Sequence, residues 1–152
     1  MDVLTKDQRR KNMQAIRGKG TKAEIKLAKT LWQLGYRYRK NNKSVFGKPD
    51  LTFKRLKIAI FVDSEFFHGK DWDILKQRLN TNKTFWHSKI ERNIQRDIEV
   101  NKHLQEKGWI VLRFWSLQIK NNLDLCISII QEAISLRQSP LPSPTANRSS
   151  VY

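Results

Sequence analysis

One short run constrains the fold more than any other. Ile58-Ala59-Ile60-Phe61-Val62 is apolar at every position and partly β-branched. Such a run reads as a buried central strand. It passes directly into Asp63-Ser64-Glu65-Phe66-Phe67-His68-Gly69, so a chemically rich segment leaves the core at the end of that strand.

The rest of the chain falls around this strand. Thr21-Lys22-Ala23-Glu24 reads as a capping box, with Thr21 at N-cap and Glu24 at N3. The helix it opens runs to about Leu34, buries Leu27, Ala28, Leu31 and Leu34, and stops at Gly35. Tyr36–Lys40 alternates aromatic and basic residues, as an exposed strand does. Pro49-Asp50 opens the strand Leu51–Phe53. Residues 69–84 read as polar and irregular. A long helix is expected from about Phe85 to Lys107, with Trp86, Ile90, Ile94, Ile98 and Leu104 on one face and Gly108 at C′. Trp109–Trp115 reads as a further strand and Leu123–Leu136 as a last amphipathic helix. The predicted class is α/β, a small mixed central sheet flanked by helices.

This core spans residues 21–136. Before it, residues 1–20 are basic and polar, with a short helix expected over Lys6–Arg17 and a breaker at Arg17-Gly18-Lys19-Gly20. After it, residues 137–152 read as a disordered tail; the last fourteen hold three of the four prolines and four serines. No stretch approaches the ~18 apolar residues of a membrane span. The start, MDVLTKDQRRKNMQ, has no apolar core of a secretory signal. The single cysteine, Cys126, forms neither an internal disulfide nor a Cys-rich zinc site. The cytoplasm is the expected compartment.

Charge points to the partner. Thirty Lys and Arg against fourteen Asp and Glu leave +16. Such an excess repels itself unless a polyanion relieves it. Nucleic acid is favoured over a membrane surface or a merely soluble basic protein, because five Trp and seven Phe accompany the cations. Aromatic rings among cations suit stacking on bases or wedging between them.

The acidic residues point to chemistry. Asp50, Asp63 and Glu65, with His68, gather at the ends of two neighbouring strands. If extended geometry persists beyond Val62, Asp63 and Glu65 share one face. Oxygen ligands of this kind suit Mg²⁺, which can activate water and stabilise a leaving oxygen. Taken one at a time, such residues are usually turn polars or strand-end ion pairs. Glu24 falls on its helix's buried stripe, where capping alone could account for it. Asp97 falls within the apolar stripe of the long helix and needs a buried partner, an Arg, a Lys or His68. Of the three histidines, His68 has the best place for general acid–base work. His103 reads as a surface residue, and His87 carries little weight.

The chain from Lys6 to Trp115 resembles the very-short-patch repair (Vsr) mismatch endonucleases. The stretches that carry the resemblance, in collinear order, are RRKNMQAIRGKGTKAE, LGYRYR, FGKPDLTF, IAIFVDSEFFHG, FWHSKIERNIQRD and LQEKGWIVLRFW. The resemblance implies a restriction-endonuclease-like fold and Mg²⁺-dependent nicking of double-stranded DNA 5′ to the thymine of a T·G mismatch. It implies Asp50 and the carbonyl of Val62 as metal ligands; Asp63 and Glu65, from the residues themselves, are additional candidates, and two ions are expected. His68 would move protons at the scissile phosphate, oriented by Asp97, and Glu24 would hold metal-bound water. Phe66, Phe67 and Trp86 match an aromatic wedge that enters the stack beside the mismatch. Lys48 and the N-terminal segment with Arg9, Arg10 and Lys11 would grip DNA. A monomer is expected.

Three departures stand out. Where many family members bind a structural zinc, this chain has Glu65, Lys70, Trp72 and Ser116, so no zinc is expected, and Trp72 is expected to fill that volume. Phe67 stands where the family pattern has Trp. Asp63 takes a position often held by a small residue or histidine. A restriction or homing endonuclease of the same fold, and a non-catalytic DNA-binding protein, remain alternatives at this level.

Overall fold

The computed structural model describes residues 21–79 and 82–138. The helix expected over Lys6–Arg17, with Arg9, Arg10 and Lys11, lies outside the described residues, as does the tail from residue 139.

Helix α1 (Lys22–Gln33) starts where Thr21 caps it, the Thr21 Oγ1 accepting the Glu24 amide at 3.3 Å. Glu24, Leu27, Ala28 and Leu31 are buried along its inner face. Leu34 was expected there too, but it lies past the last helical residue and is 52% exposed. Strand β1 is shorter than expected, Arg39–Lys40 alone. Tyr36 and Tyr38 leave the strand pattern because both rings pack edge-on against Phe53, and the Tyr38 hydroxyl donates to the Ala28 carbonyl at 2.6 Å.

Strands β2 (Leu51–Phe53), β3 (Ile58–Asp63) and β4 (Ile110–Trp115) complete a four-stranded sheet in the order β1-β2-β3-β4. The first two pairings are antiparallel and the β3–β4 pairing is parallel. A parallel neighbour requires a crossover. Here it holds α2 (Trp72–Arg78) and the long helix α3 (Lys83–Glu106). After β4 come α4 (Ser116–Asn121) and α5 (Leu123–Gln138).

The apolar run at β3 is buried on both faces, and the period-two alternation of a strand sorts its side chains. Ile58 and Ile60 pack with Leu27, Leu31, Ile130 and Ile134 of α1 and α5. Ala59 and Phe61 pack with Val100 and Leu104 of α3. The next residue of the second set is Asp63, so the alternation itself sends this carboxylate to the α3 side.

Two helices were not expected. The segment read as irregular, 69–84, contains α2; none of its residues is fully buried, so it carries no apolar period to read. Helix α4 is too short to show one, although Ile119 is fully buried. On α3, Ile90 and Leu104 are buried as expected, but Ile98 is 54% exposed and Val100 takes its place. Each four-residue step turns about 40° too far, so a row at 86, 90, 94 and 98 walks off the buried face.

Candidate active site

The end of β3 is closed in by two tight turns. Before β2, Gly47 at φ 83 and Lys48 at φ 52 turn the chain so that Pro49 is buried and Asp50 faces the strand. A side chain at Gly47 would collide with Val100. After β3 the chain does not stay extended. It turns over residues 65–70, with the amide of His68 donating to the Ser64 carbonyl at 3.1 Å and that of Phe67 to Ser64 Oγ at 3.2 Å. Gly69, at φ 66, sits against Ile94 and Ile90, where a Cβ has no room.

These turns assemble four of the expected residues. Asp50 Oδ2 accepts the Val62 amide at 2.6 Å. Burial pushes its carboxyl up to about 7; the Val62 amide works against that, while Glu24 and Asp63 add to it and His68 opposes it. His68 Nδ1 lies 2.6 Å from Asp97 Oδ2 and 3.7 Å from Asp63 Oδ1. Burial disfavours the imidazolium, but the Asp97 hydrogen bond and the two carboxylate charges outweigh it, and the pKa is raised. A carboxylate can only accept, so His68 donates Nδ1–H and its Nε2 remains for proton transfer. Glu24 is buried and lines the same cleft as Asp50, His68 and Asp97.

Asp63 is buried at this site too, and burial raises its pKa against the pull of His68 and Arg113. Its two oxygens lie 3.1 Å from Arg113 Nη1. Arg113 was missed at the level of sequence. A charged residue in the otherwise apolar strand Ile110–Phe114 was the available signal, and with His68 it partners Asp97, at 3.5 Å, although Asp97 and Arg113 are half-buried where full burial was expected.

Glu65 does not join the cluster. Because the chain turns after Asp63, the expected shared face does not form. Both Glu65 oxygens are engaged elsewhere, by Ser116 Oγ at 2.5 Å and the Leu117 amide at 2.8 Å. Among the described residues, the only grouping of His and carboxylate atoms close enough to hold a metal ion is Asp63, His68 and Asp97. The positions at which the resemblance led us to look for zinc ligands do not fit that ion. The Lys70 ammonium and the Trp72 indole N–H offer no lone pair. Instead Trp72 donates to Glu91 at 3.1 Å and meets the His87 ring edge-on.

The cleft in front of these residues measures about 880 Å³. Lys22, Lys26, Lys48, Lys89, Arg96 and Lys120 line it with the acidic residues. Of these, only Lys48 was named from the sequence; net charge announced a basic surface without saying where it lay. Phe66, Phe67 and Trp86 come together, half-buried, with ring centroids 5.1–6.0 Å apart. Phe85, 56% exposed, extends the group by a further edge contact with Trp86. Asn93 ties this loop to α3 by donating to the Phe67 carbonyl at 2.9 Å.

A mixed sheet with helices on both faces, acidic residues at the end of its central strand and a basic cleft before them define a small α/β nuclease. Comparison with known proteins agrees. The family model described as DNA mismatch endonuclease Vsr matches residues 1–74. The chain is 52% identical over 138 residues to a type II nicking enzyme, V.NmeDIP, of Neisseria meningitidis serogroup C, covering 91% of this chain and 93% of that protein. It is 56% identical over 135 residues to the type II nicking enzyme V.HpaIIP of Haemophilus parainfluenzae, covering 88% and 96%. To the DNA mismatch endonuclease Vsr of Escherichia coli it is 32% identical over 133 residues, covering 88% and 85%. The chain belongs to the Vsr family of DNA mismatch endonucleases, and it is a DNA endonuclease. Among the described residues, no helix is long and apolar enough to cross a membrane.

Proposed function

We propose that this endonuclease nicks one strand of double-stranded DNA beside a T·G mismatch, with Mg²⁺ as its cofactor. The observation that carries the reading is the 2.6 Å bond from His68 to Asp97 beside the half-buried Asp50, within a cleft rimmed by lysines and arginines.

Asp50 and the Val62 carbonyl are the groups we assign to the ion. The donor set fits: the ion wants hard oxygen ligands, and a carboxyl held near neutrality by burial is readily ionised by a cation. Bound there, Mg²⁺ would supply charge stabilisation at the phosphate and a more acidic water. The resemblance implies two ions; one placed at Asp63, His68 and Asp97 would compete with Arg113 and with the His68–Asp97 bond. His68, oriented by Asp97, takes or gives the proton at Nε2. Glu24 holds water in the cleft beside Asp50. Lys48, Lys89 and Arg96 hold backbone phosphates, which fixes register without reading sequence.

Phe66, Phe67 and Trp86 supply the preference for a mismatch. Separating a base step costs least where pairing is already weak. A monomer suffices, since one cleft cuts one strand. The test is a cleavage assay with Mg²⁺ on matched duplex and on duplexes carrying each mismatch. Single-strand nicks at T·G are expected. Cleavage of both strands of a matched duplex points instead to a restriction-type target.

A further inference from the structure

We propose that Arg113 is a positioning residue of this endonuclease, which takes the Asp63 carboxylate out of metal binding and so leaves Asp97 as the partner of His68. The inference rests on the nicking reading above and goes beyond it.

The sheet places Arg113. It pairs with Phe61 across the parallel β3–β4 ladder, so its side chain emerges on the α3 side, as those of Phe61 and Asp63 do. There it is 18% exposed, with its guanidinium 4.0 Å over the Phe61 ring. Its Nη1 lies 3.1 Å from each Asp63 oxygen and 3.5 Å from Asp97 Oδ1. Its Nε donates to Asn101 Oδ1 at 2.7 Å. Asn101 stands one helical turn beyond Asp97, so a single side chain bridges β3 to two successive turns of α3.

This arrangement resolves a competition. Two carboxylates flank the one imidazole, Asp97 at 2.6 Å and Asp63 at 3.7 Å. Unpaired, buried Asp63 is a strong rival for His68 or a ligand for any cation nearby. Arg113 satisfies it with Nη1 while Nε holds Asn101, two separate arms of one fork where a lysine has a single nitrogen. The shorter bond therefore goes to Asp97. Asp63 thus belongs to the frame that aims His68.

The test uses the full chain and the variants Arg113→Met, Arg113→Lys, Asp63→Asn and the Asp63→Asn/Arg113→Met pair. Two readouts need neither metal nor DNA: the melting temperature and the NMR signal of the His68 Nδ1 proton. Arg113→Met is expected to lower the first and shift the second, and the paired variant to recover both. In nicking assays Arg113→Met is expected to lower kcat roughly 10–100-fold, the usual cost of losing an outer-shell partner, with KM for DNA unchanged. Should Arg113→Met fold poorly, Arg113→Lys keeps the charge without the fork and is expected to show the same loss of kcat. Asp63→Asn is expected to leave the Mg²⁺ concentration for half-maximal nicking where it is in the parent. A marked rise in that concentration makes Asp63 a metal ligand and overturns the proposal. So does Arg113→Met that melts lower yet keeps its kcat and its His68 signal. If the parent protein nicks no duplex at all, the nicking reading fails, while the melting and NMR cycle still decides whether Arg113 aims His68.

Discussion

The Asp50 carboxylate sits 2.6 Å from the amide of Val62, on the strand where the core ends. That one bond ties the turn after Gly47 to the central strand. It also holds an acid in a place where burial raises its pKa from 3.8 to about 7, with Glu24 and Asp63 adding to the rise and His68 opposing it.

The sign of this shift predicts a pH dependence. A carboxyl raised on folding contributes stability that is full below about pH 4 and is lost as pH climbs through 7. Asp63 and His68, both raised, act in the same direction. The metal-free protein is therefore expected to melt at lower temperature at about pH 8 than at about pH 5. Mg²⁺ binds the ionised carboxylate, so it should raise the melting temperature more at the higher pH. Calorimetric scans with and without Mg²⁺ check this. Equal stabilisation at both pH values would place the ion away from Asp50.

Removing the acid or the base should separate cutting from binding. Asp50→Ala is expected to abolish nicking yet leave DNA affinity largely intact, because the phosphate contacts of Lys and Arg remain. His68→Ala should slow single-turnover nicking by roughly 10²–10⁴-fold. Gel-shift titrations alongside the rates distinguish the two effects; near-parent rates in either variant mean the site lies elsewhere.

The bond from Ser116 to Glu65 joins two of the four positions at which the resemblance led us to look for zinc ligands. Elemental analysis of purified protein is expected to find no stoichiometric zinc. Glu65→Ala should destabilise the fold by about 1–3 kcal/mol, because the Leu117 amide and the Ser116 hydroxyl lose a charged acceptor. One dialysis-resistant zinc per chain contradicts this account.

Phe67 tests the wedge. It is half-buried and lines the cleft, and its ring lies 6.0 Å from that of Trp86. Phe67→Ala is expected to cost about 1 kcal/mol of stability, against the roughly 3–5 kcal/mol of a phenylalanine sealed in a core. The preference for mismatched over matched duplex should disappear. A strongly destabilised variant that still discriminates below its melting point makes Phe67 a core residue.

Much of the molecule was legible in local sequence. The apolar run Ile58–Val62, the Thr21 cap and the stripe Leu27-Ala28-Leu31 each report their own element, because period and capping are short-range properties. Asp50, His68, Asp97 and Glu24 stood out by residue type beside those elements. The structure brings all four to one cleft.

What tertiary structure decided is which of these groups meet. Asp63 and Glu65 look alike in sequence, two residues apart at the end of one strand. One is claimed by Arg113, 50 residues later, and the other by Ser116, 51 residues later. Those partners come into reach because β4 lies parallel to β3 after a crossover, and because the chain turns after Asp63 where extension was expected. Strand periodicity says which side of the sheet a residue faces, but not which residue of a distant strand or helix will stand opposite. That pairing is set by register and by the packing of α3, and with it which carboxylate orients the histidine.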